Sequence, residues 1–495
     1  MNKPMRTKRK PKTIDIRRTE ARLYPDQSRV VLRPLDLNSS EGYQKIINRV
    51  LALKDKDVEK ITAQVLAEFS SRHRNLSDRL LSRFKKVERY MPAGAGISEE
   101  RKILIGSYFV FEYSSESAGL FNPSIIPHPN QSGLPEGSMR FLLSLRSTGE
   151  GHISSISFRE GVIDKHNSIT IDTPSRLLSE PELVENPVYN KELFERKISE
   201  MGLINDWSRH VLGSLAENFT LTELKHRLNE ALAEKVPVRI IEDDPVASGL
   251  WLLAKSNYEI QFPADQELSE RIIFPAIPIQ SNGIEDVRIV AHQDEAGKAV
   301  YYATYTAYDG RNVLPQLFVT EDFCRFKFVT LNGPGVQNKG MALFPRKIDG
   351  HFAMLSRQDG ENIFLMYSDN VHFWNKASPV LAPAYPWEFI KMGNCGSPIE
   401  TPEGWLVLSH GVGPMRRYCL GAFLLDRDDP SKVLGRLQEP LMCPEGIERE
   451  GYVPNVLYTC GALLRGKQLI LPYGMSDRVT GFAIIPIKEI LASIV

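Results

Sequence analysis

From about residue 96 to its end, the chain consists of short strand-like runs separated by Gly, Pro, Asn and Asp residues. Evenly spaced runs of this kind are typical of antiparallel β folds and argue against a solenoid of helices. A weak repeat is also present, since Glu321-Asp322-Phe323 and Ser368-Asp369-Asn370 both lead into aromatic residues. Repeats of about 40–50 residues built from short strands are characteristic of β-propeller blades. The pattern therefore predicts a mainly β fold arranged as a propeller.

Two parts of the chain have helical periodicity instead. In the region 13–95, apolar residues recur at three- and four-residue intervals, as in Leu76, Leu80 and Leu81. A second patch, at about 190–235, has the same spacing and predicts a helical insertion between β units. Apolar helices beside a propeller need a partner surface, which is either the propeller or a second subunit. The N-terminal helices are therefore the candidate surface for a homo-oligomer.

Local patterns refine this division of the chain. The segments 103–113, 139–145 and 152–158 are predicted as strands because apolar and β-branched residues are bounded there by turn residues. The polar run 71–75, which contains two arginines and a histidine, is predicted as a connection between helices rather than a ligand site.

Composition excludes several classes of protein. The 495 residues carry 61 basic and 61 acidic side chains, so no global charge favours nucleic acid or an anionic membrane surface. No apolar run in the sequence approaches the about 20 residues that span a membrane. The basic segment 1–12 lacks the apolar core of a secretory signal, and we expect a disordered tail on a cytoplasmic protein. The five cysteines are scattered, which predicts reduced thiols and no metal site.

Two adjacent carboxylates, Glu285 and Asp286, lie between the turn residues Asn282-Gly283 and a strand-like run. Successive side chains of a regular strand point to opposite faces, so we expect one carboxylate to face a pocket and the other to lie behind it. Arg288 comes two residues later. Taken alone, this pattern is more often a solvated turn with a surface ion pair than a catalytic site.

Cations or potential cations recur at the ends of apolar strands in the β region, namely at Arg146, Lys339, Arg357, Lys391 and His410. Taken singly, each is more often a rim residue or a structural hydrogen-bonding group. In a propeller, however, equivalent strand ends converge around the central axis, so these side chains would share one pocket suited to phosphate or another oxyanion. With a carboxyl group nearby as the acid, such a pocket suits glycosyl transfer to phosphate.

Several motifs, in a fixed order along the chain, carry a resemblance to a known family; they occupy residues 284–288, 305–308, 343–350, 396–412 and 453–462. They resemble glycoside hydrolase family 130, which comprises inverting β-mannoside phosphorylases and some β-1,2-mannosidases on a five-bladed β-propeller. The resemblance covers roughly residues 103–180 and 236–495. It implies that residues 96–495 form a five-bladed β-propeller catalytic domain, with the helical insertion within it.

The resemblance also implies roles for individual residues. Asp286 corresponds to the catalytic acid, which protonates the glycosidic oxygen through a hydroxyl of the bound mannosyl unit. The positions that hold this mannosyl unit correspond to Asn122, Arg146 and Asp477. The phosphate-binding positions, or positions beside them, correspond to Lys339, Arg357, Lys391, His410 and Tyr418. Glu285 is expected behind Asp286 as part of the substrate site, with Arg288 bracing the turn.

The resemblance therefore predicts an enzyme that converts a β-mannoside oligosaccharide and phosphate into α-mannose 1-phosphate and a shortened sugar. Inorganic phosphate is the expected co-substrate, and no other cofactor and no metal are expected. Two alternatives stay open: an inverting β-1,2-mannosidase, which uses water, and a non-catalytic carbohydrate-binding propeller. The cations around Asp286 are expected to lower the pKa of its carboxyl group unless burial opposes them.

Overall fold

The computed structural model describes residues 14–92, 96–184, 187–235, 240–293, 297–311 and 313–495. The basic tail predicted at residues 1–12 lies outside the described residues. Within the described part of the chain, no helix is both long enough and apolar enough to cross a membrane.

Five antiparallel sheets of at least four strands contain most of the described strands, and we number them I to V. Sheet I contains Gly119–Pro127, Met139–Thr148, Ser154–Ile163, Ile169–Ile171 and Ile272–Ile273. Sheet II contains Ile284–Gln293, Ala299–Tyr308, Val313–Thr320, Arg325–Thr330, Tyr258–Gln261 and Glu182–Leu183. Sheet III contains Lys339–Leu343, Phe352–Arg357, Ile363–Ser368 and Ala377–Leu381. Sheet IV contains Lys391–Asn394, Ile399–Thr401, Gly404–Val412, Tyr418–Leu425 and Val433–Arg436. Sheet V contains Leu457–Tyr458, Leu463–Arg465, Gln468–Met475, Val479–Pro486 and Arg17–Leu23.

The five sheets pack against one another in a cycle. Separate hydrophobic clusters fill the contacts of sheet I with II, II with III, III with IV, IV with V, and V with I. Alternating apolar residues on each strand supply these clusters, as expected for sheets with two covered faces. The strand Arg17–Leu23 pairs with Val479–Pro486, so both ends of the described chain lie in sheet V. The predicted mainly β fold is confirmed.

Helices form two groups and one C-terminal segment. The N-terminal group contains Ser40–Leu51, Asp55–Phe69, Leu76–Val87 and Glu99–Ser107. The insertion contains Lys191–Glu200, Asp206–Gly213, Leu221–Lys235 and Pro245–Lys255, so its helices continue beyond the predicted end near 235. The last helix is Ile487–Ser493. Two small sheets accompany the helical groups: Val30–Pro34 pairs with Val110–Ser114, and Val188–Asn190 pairs with Asn218–Thr220.

The N-terminal boundaries differ from the sequence-based expectation in two places. The region predicted as helical, 13–95, begins with the strands Arg17–Leu23 and Val30–Pro34. The predicted strand at 103–113 is wrong in its first half, which belongs to the helix Glu99–Ser107. The side chain of Ser98 caps this helix, and two glutamates in the first turn favour its N-terminus, so the cap outweighs the β-branched residues of the helix.

Polar contacts attach the N-terminal helices to the sheets. The guanidinium of Arg74 donates to both carboxylate oxygens of Glu270, at 2.7 and 2.9 Å, next to the edge of sheet I. Arg72 and His73 both contact the carboxylate of Glu112, at 2.7 and 2.8 Å. The predicted connection between helices is confirmed for the polar run 71–75, which joins Asp55–Phe69 to Leu76–Val87 and also attaches them to the strands. The apolar faces of these helices pack on one another within the chain, and a homo-oligomer stays a prediction.

The expectation of reduced thiols is wrong for one pair of cysteines. Cys419 and Cys443 form a disulfide, with their Cα atoms 4.5 Å apart. A bridge between Leu420 and Met442 places the two cysteines side by side, a register that their separation in sequence does not reveal. Three further cysteines are free thiols: Cys324, Cys395 and Cys460.

A substitution at Gly106 tests the close contact between the helices Leu76–Val87 and Glu99–Ser107. A Cβ atom there would lie 2.1 Å from the carbonyl oxygen of Leu80, whereas nothing lies within 4 Å of the same position at Gly213. We expect Gly106→Ala to destabilise the protein by about 1–3 kcal/mol because the helices must separate. Gly213→Ala, at a helix end, should be neutral or stabilising by up to about 1 kcal/mol. Denaturant unfolding of both variants measures this, and equal effects would contradict the assigned contact.

Candidate active site

One strand at the end of each of sheets I, II and III has an irregular pairing, namely Gly119–Pro127, Ile284–Gln293 and Lys339–Leu343. Pairing slips between Phe121 and Ser124, between Glu285 and Arg288, and between Lys339 and Ala342. In the three bulges, Asn122, Asp286 and Gly340 have positive φ angles of 50, 58 and 86°. Asn and Asp tolerate this conformation better than most side chains, and bulges redirect side chains near active sites.

The bulges bring two of the predicted residues into contact. The Nδ2 atom of Asn122 donates to the Oδ1 atom of Asp286 at 2.6 Å, and both residues are buried. The Oδ1 atom of Asn122 has no hydrogen-bond partner among the described residues. This amide therefore keeps one buried acceptor available beside the carboxylate.

Glu285 does not lie behind Asp286, contrary to the expectation from strand alternation. Its carboxylate pairs with Arg146 at 2.8 Å and with Lys339 at 3.5 Å, and all three residues line one cavity. The expectation is wrong because the bulge adds a residue at this point and interrupts the alternation. Glu285 is the carboxylate at the cavity wall, and Asp286 is the more buried of the two.

Arg288 holds the turn, as expected for a brace. Its guanidinium is buried and donates to the backbone oxygen of Asp286 at 2.9 Å and to that of Cys395 at 2.6 Å. It also donates to the Tyr458 hydroxyl at 2.8 Å. The NH2 atom of Arg288 lies 3.9 Å from the Oδ2 atom of Asp286. Arg288 therefore links sheet II to the chain of sheets IV and V.

A cavity of about 500 Å³ lies beside Glu285, the chain neighbour of Asp286, and neither Asp286 nor Asn122 is among the residues that line it. Four of the predicted residues line it: Arg146, Glu285, Lys339 and Asp477. Asp477 lies just after the strand Gln468–Met475, in a turn with a φ angle of 54°. The cavity volume lies within the range of about 300–1,000 Å³ typical of small-molecule sites.

The first cluster of charges consists of Glu285 and Asp286 with Arg146, Lys339 and Arg288. The other predicted cations form a second cluster beside it. Arg357 is the register partner of Lys339, and its NH1 atom lies 3.2 Å from Nε2 of His410. The His410 ring stacks on Tyr418 with centroids 6.0 Å apart, and the ammonium of Lys391 lies 5.7 Å from the same tyrosine ring. His410 also contacts the ring of Tyr458, whose hydroxyl binds Arg288, so the two clusters are continuous.

Charge and burial separate the pKa values of the two aspartates. Burial alone would raise the pKa of Asp286, but Arg288, Lys339 and Arg146 outweigh it and lower that pKa, as expected from the sequence. Asp477 behaves in the opposite way, because burial and the negative charges of Asp286 and Glu285 raise its pKa from 3.8 to about 6. At neutral pH, the ionised form of Asp286 is therefore more stabilised than that of Asp477.

His410 is a neutral acceptor in this environment. Burial and the surrounding cations, with Arg357 first among them, lower its pKa well below the ordinary value. Since a guanidinium has no acceptor, Nε2 of His410 accepts the hydrogen bond from Arg357, which places the ring proton on Nδ1. The interaction fixes the Arg357 side chain without neutralising its charge.

Sequence reasoning missed several residues of the site. Asn394 donates to the backbone oxygen of Gly340 at 2.8 Å, and its buried Oδ1 atom has no hydrogen-bond partner in the described part of the chain. Tyr458 and Cys395 carry the contacts of Arg288, while His152 and Tyr452 line the cavity. Of these residues, only Asn394 could have been found from the sequence, because it ends a short strand that begins with the cation Lys391. Among the described residues, no three His, Cys, Asp or Glu side chains are arranged to hold a metal ion.

Comparison with known proteins identifies the family. A sequence model described as beta-1,4-mannooligosaccharide phosphorylase, that of glycoside hydrolase family 130, matches residues 246–494. The chain belongs to glycoside hydrolase family 130. The matched family segment contains Asp286 and the second cation cluster, whereas Asn122 and Arg146 precede it.

Relatives in the family align with about half of the chain. A 1,2-beta-oligomannan phosphorylase of Thermoanaerobacter sp. (strain X514) is 38% identical over 228 residues, which cover 43% of this chain and 74% of that protein. A beta-1,2-mannobiose phosphorylase of Listeria innocua is 31% identical over 251 residues, which cover 48% of this chain and 67% of that protein. The solved complex of beta-1,2-mannobiose phosphorylase from Listeria innocua with beta-1,2-mannobiose has a TM-score of 0.46 and 22% identity, covering 76% of this chain and 92% of that chain.

The raised pKa of Asp477 predicts a pH-dependent stability. The folded state holds this proton more tightly than the unfolded chain, so wild-type stability falls as the pH rises from about 4 to about 6 and then stays low. Asp477→Asn, which is always neutral, should therefore melt about 1–3 °C higher than the wild type at pH 7.5. The difference should shrink below about pH 5.

The exposed Asp349 provides a matched control, because it also has a positive φ angle, 48°, which Asn tolerates. Asp349→Asn should not show the same pH dependence. Melting curves of the three proteins between pH 4 and 7.5 measure this. A melting temperature of Asp477→Asn that runs parallel to the wild type at every pH would contradict the assignment.

Proposed function

We propose that this protein cleaves β-mannosidic bonds by inverting phosphorolysis, which releases α-mannose 1-phosphate and a shortened sugar. The five sheets would be the blades of a five-bladed β-propeller, with the cavity at the centre of their cycle. The names of the related phosphorylases support this activity, and they include both β-1,2 and β-1,4 substrates. The linkage that this chain prefers is therefore an outcome of the assay below.

The observation that carries the proposal is the unneutralised charge of the second cluster. Among the described residues, no carboxylate lies within 4.0 Å of the Arg357 guanidinium or the Lys391 ammonium. Arg357 is buried, and its Nε atom has no hydrogen-bond partner in the described part of the chain. A buried cation is costly without an anion, and a phosphate oxygen would complete the fork of donors on this side chain. A hydrolase, which positions water, gains little from such a site.

The mannosyl unit would occupy the cavity lined by Arg146, Glu285, Lys339 and Asp477. Arg146 and Asp477 line its wall, and Asn122 would act behind that wall by orienting the Asp286 carboxylate through its hydrogen bond. Lys339 lies between the carboxylate of Glu285 and the second cluster, so it could contact both substrates. Phosphate would then attack the anomeric carbon from the face opposite the leaving oxygen.

Proton delivery requires Asp286 to be protonated, although its surroundings favour the anion. Its pKa is lowered by three cations, two of which, Lys339 and Arg146, line the cavity. A bound phosphate brings negative charge next to these cations and would raise that pKa in the complex with substrate. Asp286 would then pass its proton to a mannosyl hydroxyl, which passes its own to the leaving oxygen.

Turnover with and without phosphate tests this proposal. We expect the wild type to release mannose 1-phosphate from β-1,2- or β-1,4-mannobiose only when phosphate is present. Asp286→Asn should lower kcat by about 10²–10⁴-fold because the proton donor is lost. Free mannose released at an equal rate without phosphate would favour the β-1,2-mannosidase, and unchanged turnover by Asp286→Asn would remove this residue as the acid.

Lys391 offers a selective test of the phosphate site. Lys391→Gln should raise KM for phosphate by about 10-fold or more, since a hydrogen bond to a charged group contributes about 1.5–3 kcal/mol. KM for the mannoside should stay within about 2-fold. Lys86→Gln, at an exposed lysine of an N-terminal helix, is the matched control. Equal changes in both KM values would place Lys391 outside the phosphate site.

A further inference from the structure

Two exposed aromatic side chains meet at the mouth of the cavity. The Tyr452 hydroxyl lies 2.9 Å from Nε2 of His152, and their rings stack with centroids 4.5 Å apart. Both residues line the same cavity as Arg146, Glu285 and Asp477. They are 300 residues apart in the chain, and Tyr452 is 55% exposed. An exposed aromatic pair at such a site is a candidate binding surface rather than a part of the core.

The loop of His152 is held in place from behind by the N-terminal region. The hydroxyl of Tyr113 donates to the backbone oxygens of Glu150 and Ile153, at 3.0 and 3.3 Å. Gly149 packs so closely on Ser114 that a Cβ atom would lie 2.3 Å from the Ser114 carbonyl oxygen. Tyr113 itself is buried on the small strand Val110–Ser114. The loop 149–153 therefore has a fixed backbone.

The loop of Tyr452 is attached to the turn that carries Asp477. The backbone NH of Val453 donates to the carbonyl oxygen of Ser476 at 3.1 Å. Gly451 lies against the same carbonyl, where a Cβ atom would be 2.3 Å from it. Both aromatic residues are therefore presented by anchored loops, and their contact bridges the cavity mouth from two sides. This arrangement suits a rigid wall better than a mobile lid.

We propose that His152 and Tyr452 form the subsite for the leaving sugar and that their contact closes the cavity beyond it, so disaccharides are preferred over longer chains. The inference rests on the proposed function for the direction of the substrate. With the mannosyl unit between Arg146 and Asp477, the neighbouring sugar lies toward the mouth, where this pair is located. Pyranose rings have apolar C–H faces and a polar edge, which an aromatic ring with a polar tip matches.

Binding of sugars in phosphate-free buffer tests the subsite independently of turnover. By calorimetry, the wild type should bind β-1,2- or β-1,4-mannobiose about 10-fold more tightly than mannose, as expected for about 1.5 kcal/mol from an aromatic contact. Tyr452→Ala should lose this advantage, whereas Tyr452→Phe, which keeps the ring, should retain most of it. Tyr24→Ala, at another exposed tyrosine, is the control and should bind like the wild type.

Steady-state kinetics test the closing of the cavity. The ratio of kcat/KM for mannotriose to that for mannobiose should rise at least about 5-fold in Tyr452→Ala, because the bridge to His152 is gone. Unchanged disaccharide binding by Tyr452→Ala, or an unchanged ratio, overturns the proposal. A wild type that binds a disaccharide more tightly than mannose but shows no phosphate-dependent turnover retains the subsite and loses the proposed function.

Tyr113 is a positioning residue in this scheme. Tyr113→Phe removes only the hydroxyl that holds the loop 149–153. We expect KM for mannobiose to rise about 3–10-fold with kcat nearly unchanged, since about 0.5–1.5 kcal/mol of loop hydrogen bonding is lost. A variant that loses kcat in proportion to folded protein, with the wild-type KM, would show a structural role alone and would remove Tyr113 from the scheme.

Discussion

The buried guanidinium of Arg288 is the interaction on which the rest of the site depends. A buried cation costs several kcal/mol unless hydrogen bonds and an anion compensate it, so its partners are constrained in position. Those partners are the backbone oxygen of Asp286 in sheet II, that of Cys395 after the first strand of sheet IV, and the Tyr458 hydroxyl in sheet V. Three sheets therefore meet at one charged group. The bulge that directs the Asp286 carboxylate toward Asn122 is fixed from beneath by the same contact.

Periodicity in the sequence predicted the sheets and the convergence of their strand ends. It did not predict the direction of a side chain where that direction depends on a single backbone angle. Convergence of Arg357, Lys391 and His410 was predictable because equivalent strand ends in packed antiparallel sheets lie near one another. The place of Glu285 was not predictable, because spacing does not reveal the positive φ angle of Asp286 that interrupts the alternation. The residue types gave a hint, since Asn and Asp tolerate this conformation. The bridge of Cys419 to Cys443 escaped for a related reason, because pairing register is a property of the sheet.

The three carboxylates of the site differ in their charged neighbours and therefore in the roles that they can play. Glu285 compensates Arg146 and Lys339, so it is committed to ion pairs and is a poor candidate for a base. The negative charges of Asp286 and Glu285 raise the pKa of Asp477. The cations around Asp286 stabilise its negative charge and lower its pKa. An anion bound at Arg357 would shift both pKa values upward. In the proposed mechanism, phosphate binding and protonation of Asp286 are therefore coupled through charge.

The walls of the cavity come partly from segments of the chain that the family model does not cover. Its match begins at residue 246, yet Asn122 and Arg146 precede that point and Tyr113 supports the loop of His152 from the N-terminal region. Both segments contribute to the charged groups and to the cavity wall, since Arg146 and His152 lie before residue 246 and Glu285 and Tyr452 lie after it. In the proposed subsite, a change at Tyr113 or His152 would act on the leaving sugar while Arg288 and its contacts stay the same.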